Sequence, residues 1–66
     1  MFELARRFID KECCVNALNH TPIIGVIKEV NSSALLIETY SATEVVNLNF
    51  VICISEYHKN KKDTRK

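Results

Sequence analysis

Residues 23–38 read IIGVIKEVNSSALLIE. This stretch holds the chain's single glycine, Gly25, and its longest apolar pattern, broken by one polar turn, Asn31-Ser32-Ser33. Two apolar segments of strand length joined by a tight polar turn predict a β-hairpin. Its first arm, residues 23–30, is apolar on both faces: Ile23 and Ile27 on one, Ile24, Val26 and Val30 on the other. A glycine inside such a strand predicts a bend or a close backbone approach. Long bent strands that serve two parts of a curved sheet are how small barrels close.

Working outward, residues 12–18, ECCVNAL, predict a strand before the hairpin, with a turn at Asn19-His20 where asparagine tolerates positive φ. Pro22 stands at the start of the next strand, where its missing N–H does least harm. Upstream, Phe2, Ala5, Phe8 and Ile9 recur at helical spacing with Arg6 and Arg7 between them. Two turns of helix are not stable alone in water, so this segment is expected to dock its apolar side, capping one open end of a barrel. Downstream, the hairpin's second arm is expected over residues 34–40. Residues 44–49 then alternate, with Val46 and Leu48 opposite Asn47 and Asn49, and so predict a strand with one wet face. Residues 50–56, FVICISE, continue as a last strand. Phe50, Ile52 and Ile54 are expected on one face; Val51, Cys53 and Ser55 on the other. No glycine or proline parts these two strands, so a kink or a 3₁₀ turn is expected near Asn49.

The chain has 66 residues, one small domain, expected over residues 1–57 with a basic tail over 58–66. A hydrophobic content of 47% excludes a disordered chain. No apolar run approaches the roughly 18 residues that cross a bilayer, and charges interrupt the N-terminal stretch, so neither signal peptide, anchor nor membrane partner is expected. The net charge of +1 argues against a strongly basic nucleic-acid binder. Its distribution is uneven: Lys59, Lys61, Lys62, Arg65 and Lys66 face one acid, Asp63, and leave the body slightly acidic. Three cysteines, two of them adjacent, do not make an even, spaced disulfide framework. They are expected as free thiols in a reducing cytoplasm, with Cys13 or Cys14 and Cys53 as small core residues. Adjacent cysteines diverge in a strand and no CxxC or HxxxH pair occurs, so no metal is expected. No catalytic triad, phosphate-cradling glycine loop or paired-carboxylate motif is present, so the expectation is no enzyme, no cofactor and no small-molecule substrate.

A helix followed by five consecutive short strands predicts a mainly β fold: a strongly bent, five-stranded antiparallel small barrel. In this order the chain resembles the Sm-like family, in its bacterial Hfq-like branch, over residues 2–55. Asn19-His20 stands at that family's first turn and Gly25 at its strand-two glycine. Val30-Asn31 stands at its hydrophobic-Asp pair, and Leu35-Leu36-Ile37-Glu38 at its closing strand. Where the branch carries Tyr-Lys-His before its last strand, the chain reads Leu48-Asn49-Phe50. Ser33 takes the place of its stacking aromatic, and the Arg-Gly signature of the eukaryotic and archaeal members is absent. The resemblance implies a homo-oligomer, a ring in which the fourth strand of one subunit pairs with the fifth of the next. Val45, Val46 and Leu48 would form one edge and Val51, Ile52 and Ile54 the other. It also implies RNA as a partner, for which the chain's own available residues are Arg6, Arg7, Asn31, Asn49, Lys59, Lys61 and Lys62. With no stacking platform and no Lys-His pair, that contact is expected to be weak and through phosphates. A second resemblance is to small β proteins of spore-forming bacteria whose roles are structural or unknown. They carry a Val-Gly-Lys start, an acid-Val pair and a late Ile-rich strand, where this chain has Ile9-Asp10-Lys11, Glu29-Val30 and residues 50–54. This alternative implies a scaffolding barrel with no nucleic-acid role, its basic tail solvated.

Overall fold

The computed structural model describes residues 2–57. A single turn of helix, α1 (Phe2–Ala5), runs into a 3₁₀ turn, Arg6–Phe8. Five strands follow: β1 (Glu12–Ala17), β2 (Ile23–Val30), β3 (Ala34–Glu38), β4 (Thr43–Asn47) and β5 (Val51–Glu56). The expected 3₁₀ turn parts the last two, over Leu48–Phe50. The N-terminal segment is tighter than the expected continuous helix. It buries Ala5 and packs Phe2, Phe8 and Ile9 against the core, as the spacing predicts.

The strands form one antiparallel sheet in the order β4-β3-β2-β1-β5. Each of β1 to β4 pairs with its sequence neighbour, and β5 returns to the far side of β1. This order dictates the curvature. Across a flat sheet, β4 and β5 would lie four strand spacings apart, about 19 Å. Three residues of 3₁₀ turn, at about 2 Å of rise each, bridge less than half of that. The sheet must therefore curl until its edges approach. The turn is tied to both sides: Leu48 N–H donates to the Ser33 carbonyl at 2.9 Å, and Leu18 N–H donates to the Phe50 carbonyl at 2.7 Å. β4 and β5 do not pair with each other, so the sheet stays open.

The core lines the inside of the curl. Cys13, Val15, Ile27, Leu35 and Ile37 are its fully buried side chains. β1 alternates strictly, turning Cys13 inward and leaving Cys14 half-buried, so the adjacent cysteines do diverge. Gly25 is explained by a close approach. A Cβ there would stand 2.5 Å from the Glu38 carbonyl oxygen on β3. The register shift of β2 falls three residues later, at Lys28 between Ile27 and Glu29. Positive φ is confined to Asp10 and Asn19 among the described non-glycine residues, the latter as the turn chemistry predicts.

β5 departs from the expected alternation. Asn16 pairs with Cys53 and Ala17 with Val51, so Ile52 is an extra residue with no partner on β1. A bulge reverses the in-out phase. Val51 is buried, and Ile54 rather than Cys53 follows it against the core. Cys53, expected as a small core residue, is therefore exposed. Its Sγ accepts a hydrogen bond from Asn16 Nδ2 at 3.2 Å.

Candidate functional site

The sheet has two free edges, and the expected assembly residues divide between them. Along β4, Val46 turns inward and Val45 outward, with Val45 71% exposed. Leu48 is buried at the start of the following turn. Along β5, Val51 is buried, Ile54 half-buried and Ile52 62% exposed. Of the six residues, Val45 and Ile52 present apolar side chains to solvent. Val46, Leu48 and Val51 hold the edges in place from inside.

Beside the β5 edge runs a groove of about 600 Å³ between the N-terminal segment and the strand, lined by Leu4, Arg7, Phe8, Lys11, Ile52 and Ile54, among others. α1 buries only Ala5 and leaves Leu4 exposed, and Leu4 and Ile52 both line this groove. Lys11 reaches across to Glu56 at 3.2 Å, an exposed ion pair of little net worth. Arg6 and Arg7 are exposed on the first 3₁₀ turn, and Arg7 lines this groove.

Asn31 and Asn49 are exposed, but both belong to turn chemistry. Asn31 Oδ1 accepts from the N–H groups of Ser33, at 2.8 Å, and Ala34, at 2.9 Å, pinning the β2–β3 turn. Asn49 N–H donates to Asn47 Oδ1 at 2.8 Å and so starts the second 3₁₀ turn. The Ser33–Leu48 hydrogen bond brings these two turns to the same end of the sheet, and neither asparagine is among the residues lining Arg7's groove. Lys59, Lys61 and Lys62 lie outside the described residues.

Burial raises the Cys13 thiol above its ordinary pKa, helped by the nearby Glu56 carboxylate. The group is a neutral donor, its Sγ–H directed at the Lys11 carbonyl 3.3 Å away. Among the described residues, no three His, Cys, Asp or Glu side chains are placed to hold a metal, and no helix is long and apolar enough to cross a membrane.

A second open groove, of about 750 Å³, had no signal in the sequence. It lies over the start of β2, and its lining includes Glu12, Glu38, Glu44, Ile24, Tyr40 and Tyr57. These residues come from four strands, one turn and the end of the chain's described part, so no local spacing announces them. His20, at its margin, donates from Nδ1 to the Thr21 carbonyl at 2.7 Å.

No protein-family model, curated protein or solved structure matches the chain.

Proposed function

We propose that the chain is a non-enzymatic, Sm-like small barrel of the cytoplasm. In this reading it assembles with copies of itself edge to edge and touches RNA weakly through phosphates. The observation that carries this reading is the strand order, which leaves β4 and β5 as free edges, each with an outward apolar side chain, Val45 and Ile52. Free edges of that kind pair with other strands unless blunted. β4 of one copy adds to β5 of the next, and a head-to-tail contact that closes gives a ring. The groove beside β5 receives the apolar side of the incoming strand.

The test is the mass in solution. Light scattering at micromolar concentration gives an oligomer for the wild-type chain and a monomer for Val45→Lys and for Ile52→Lys, with both variants still folded. A monomeric wild-type chain overturns the assembly.

The RNA contact is electrostatic and indifferent to sequence. The Asn31 side chain is engaged in its own turn, residues 48–50 offer no cation, and Ser33 offers no stacking face. If three or four basic groups meet phosphates, raising salt from 50 to 200 mM weakens single-strand binding roughly 20- to 50-fold. Tight, uridine-selective binding with a shallow salt slope contradicts this part of the proposal. The same absences favour a second reading, a scaffolding barrel with no nucleic-acid partner. Protein purified from cells free of nucleic acid, by its absorbance at 260 and 280 nm, and inert toward oligonucleotides at low salt, supports that reading.

A further inference from the structure

The groove over the start of β2 differs from the one beside β5 in its charge. Its lining has, among the described residues, three carboxylates, Glu12, Glu38 and Glu44, and no lysine or arginine. Among the described residues the ion pairs are Lys11–Glu56 and Lys28–Asp10, so none of these three carboxylates has a cation partner. Tyr40 stands fully exposed in the β3–β4 turn, Tyr57 is partly exposed, and Ile24 adds exposed apolar surface to the lining. Carboxylates interleaved with accessible aromatic faces suit an extended cationic segment, since ammonium and guanidinium groups are drawn to both.

We propose that this groove is the seat of the chain's own basic segment, residues 58–66, and that seating there competes with phosphate binding. Three observations carry this. Residues 2–57 hold four basic and seven acidic side chains, whereas residues 58–66 hold five basic and one acidic, so opposite charges are segregated along one chain. Tyr57, the last described residue, lines the groove, so the basic segment departs from the groove itself. Nine residues extend to about 30 Å, more than the molecule's two shorter dimensions of 24 and 21 Å, so the whole groove is within reach. Tethering supplies a local concentration near the millimolar range, which makes weak contacts sufficient. Exposed ion pairs are individually small and screened by salt, so the seated segment is displaceable. A polyanion that takes the lysines must first draw them off the carboxylates. This second step rests on the RNA reading above; the seat itself does not.

The experiment uses the full-length chain. Neutralising Lys59, Lys61, Lys62, Arg65 and Lys66 to Gln shifts the amide resonances of Thr39, Tyr40, Ser41 and Glu44, and leaves the groove beside β5 unchanged. Raising the wild-type chain to about 0.5 M salt, where the screening length falls below roughly 5 Å, shifts the same resonances in the same direction. Superimposable spectra, or changes centred on residues 52–54, overturn the seat. For the competition, Glu38→Gln with Glu44→Gln tightens binding to a short oligouridylate at least threefold more than the control pair Glu3→Gln with Glu29→Gln. Equal effects of the two pairs overturn the competition. A wild-type chain that binds no oligouridylate refutes the RNA reading, while the resonance shifts still decide the seat.

Discussion

Gly25 and Cys13 face each other across β1 and β2, and each has a consequence that a single substitution exposes. A Cβ at Gly25 would meet backbone atoms of Glu38, the oxygen at 2.5 Å and the carbon at 2.9 Å, and backbone cannot swing aside as a flexible side chain can. Gly25→Ala is expected to cost about 1–3 kcal/mol, as overpacking does, read from the urea midpoint; an unchanged midpoint rules out the close approach. At Cys13 the sign of the pH effect follows from its raised pKa. The folded state holds the thiol proton more tightly than the unfolded chain does. The stability this contributes is complete below the ordinary thiol value, about 8.5, and is lost as pH rises through that value toward the folded one. Cys13→Ala should be less stable at neutral pH and show a flatter decline above pH about 8.5. A parallel decline in both proteins assigns the effect elsewhere. Alkylation followed by mass should find Cys53 reactive in the native state and Cys13 reactive only on unfolding.

The elements owe their ends to side chains that act two or three residues onward. Asn31 Oδ1 takes the Ser33 and Ala34 N–H groups. Thr39 Oγ1 accepts from the Ala42 N–H at 3.0 Å and donates to the Ala42 carbonyl at 2.8 Å; Asn47 Oδ1 takes the Asn49 N–H. At about 1 kcal/mol per net hydrogen bond, Asn31→Ala is expected to cost roughly 1–2 kcal/mol, and Asn31→Asp, which keeps the accepting oxygen, much less. Equal losses in both variants count against the turn as the cause. The Asn31 turn was legible because short polar residues between apolar runs have local chemistry, and the last turn was expected near Asn49 only because two strands had to be parted. The β5 bulge was not legible. Residues 50–56 alternate without a break, and alternation alone puts Cys53 beside Val51. Pairing with β1 inserts Ile52 as an unopposed residue and sends Ile54 inward instead. The register of a strand depends on its partner, which its own residues do not specify.

The whole molecule combines an open sheet with a small core, a pairing that makes stability sensitive to assembly. A species that associates only when folded is stabilised by mass action, so its thermal midpoint rises with concentration. For a domain of this size each kcal/mol corresponds to about 4–8 °C. Between micromolar and hundreds of micromolar, the wild-type midpoint is expected to climb by several degrees. That of Val45→Lys should stay level. A concentration-independent wild-type midpoint contradicts edge-to-edge assembly. The two grooves belong to this scale as well, since each gathers side chains from segments distant in the chain.

What the sequence determined by itself was the succession of elements, because each is written in local terms. Apolar spacing marks α1, strand-length apolar runs mark β1 to β5, and Asn19 and Asn31 mark turns. It also set the segregation of charge between residues 2–57 and 58–66. Tertiary structure alone decided which side chains become surface. Pairing β5 with β1 rather than β4 curls the sheet and leaves two edges free. The bulge on β5 exposes Cys53, and the approach of β3 to β2 makes Gly25 obligatory. The curl also sets Glu12, Glu38 and Glu44 around one groove that no described lysine or arginine lines. These are outcomes of pairing between distant segments, and such pairing is fixed by the fit of the whole sheet around its core rather than by the residues on either side.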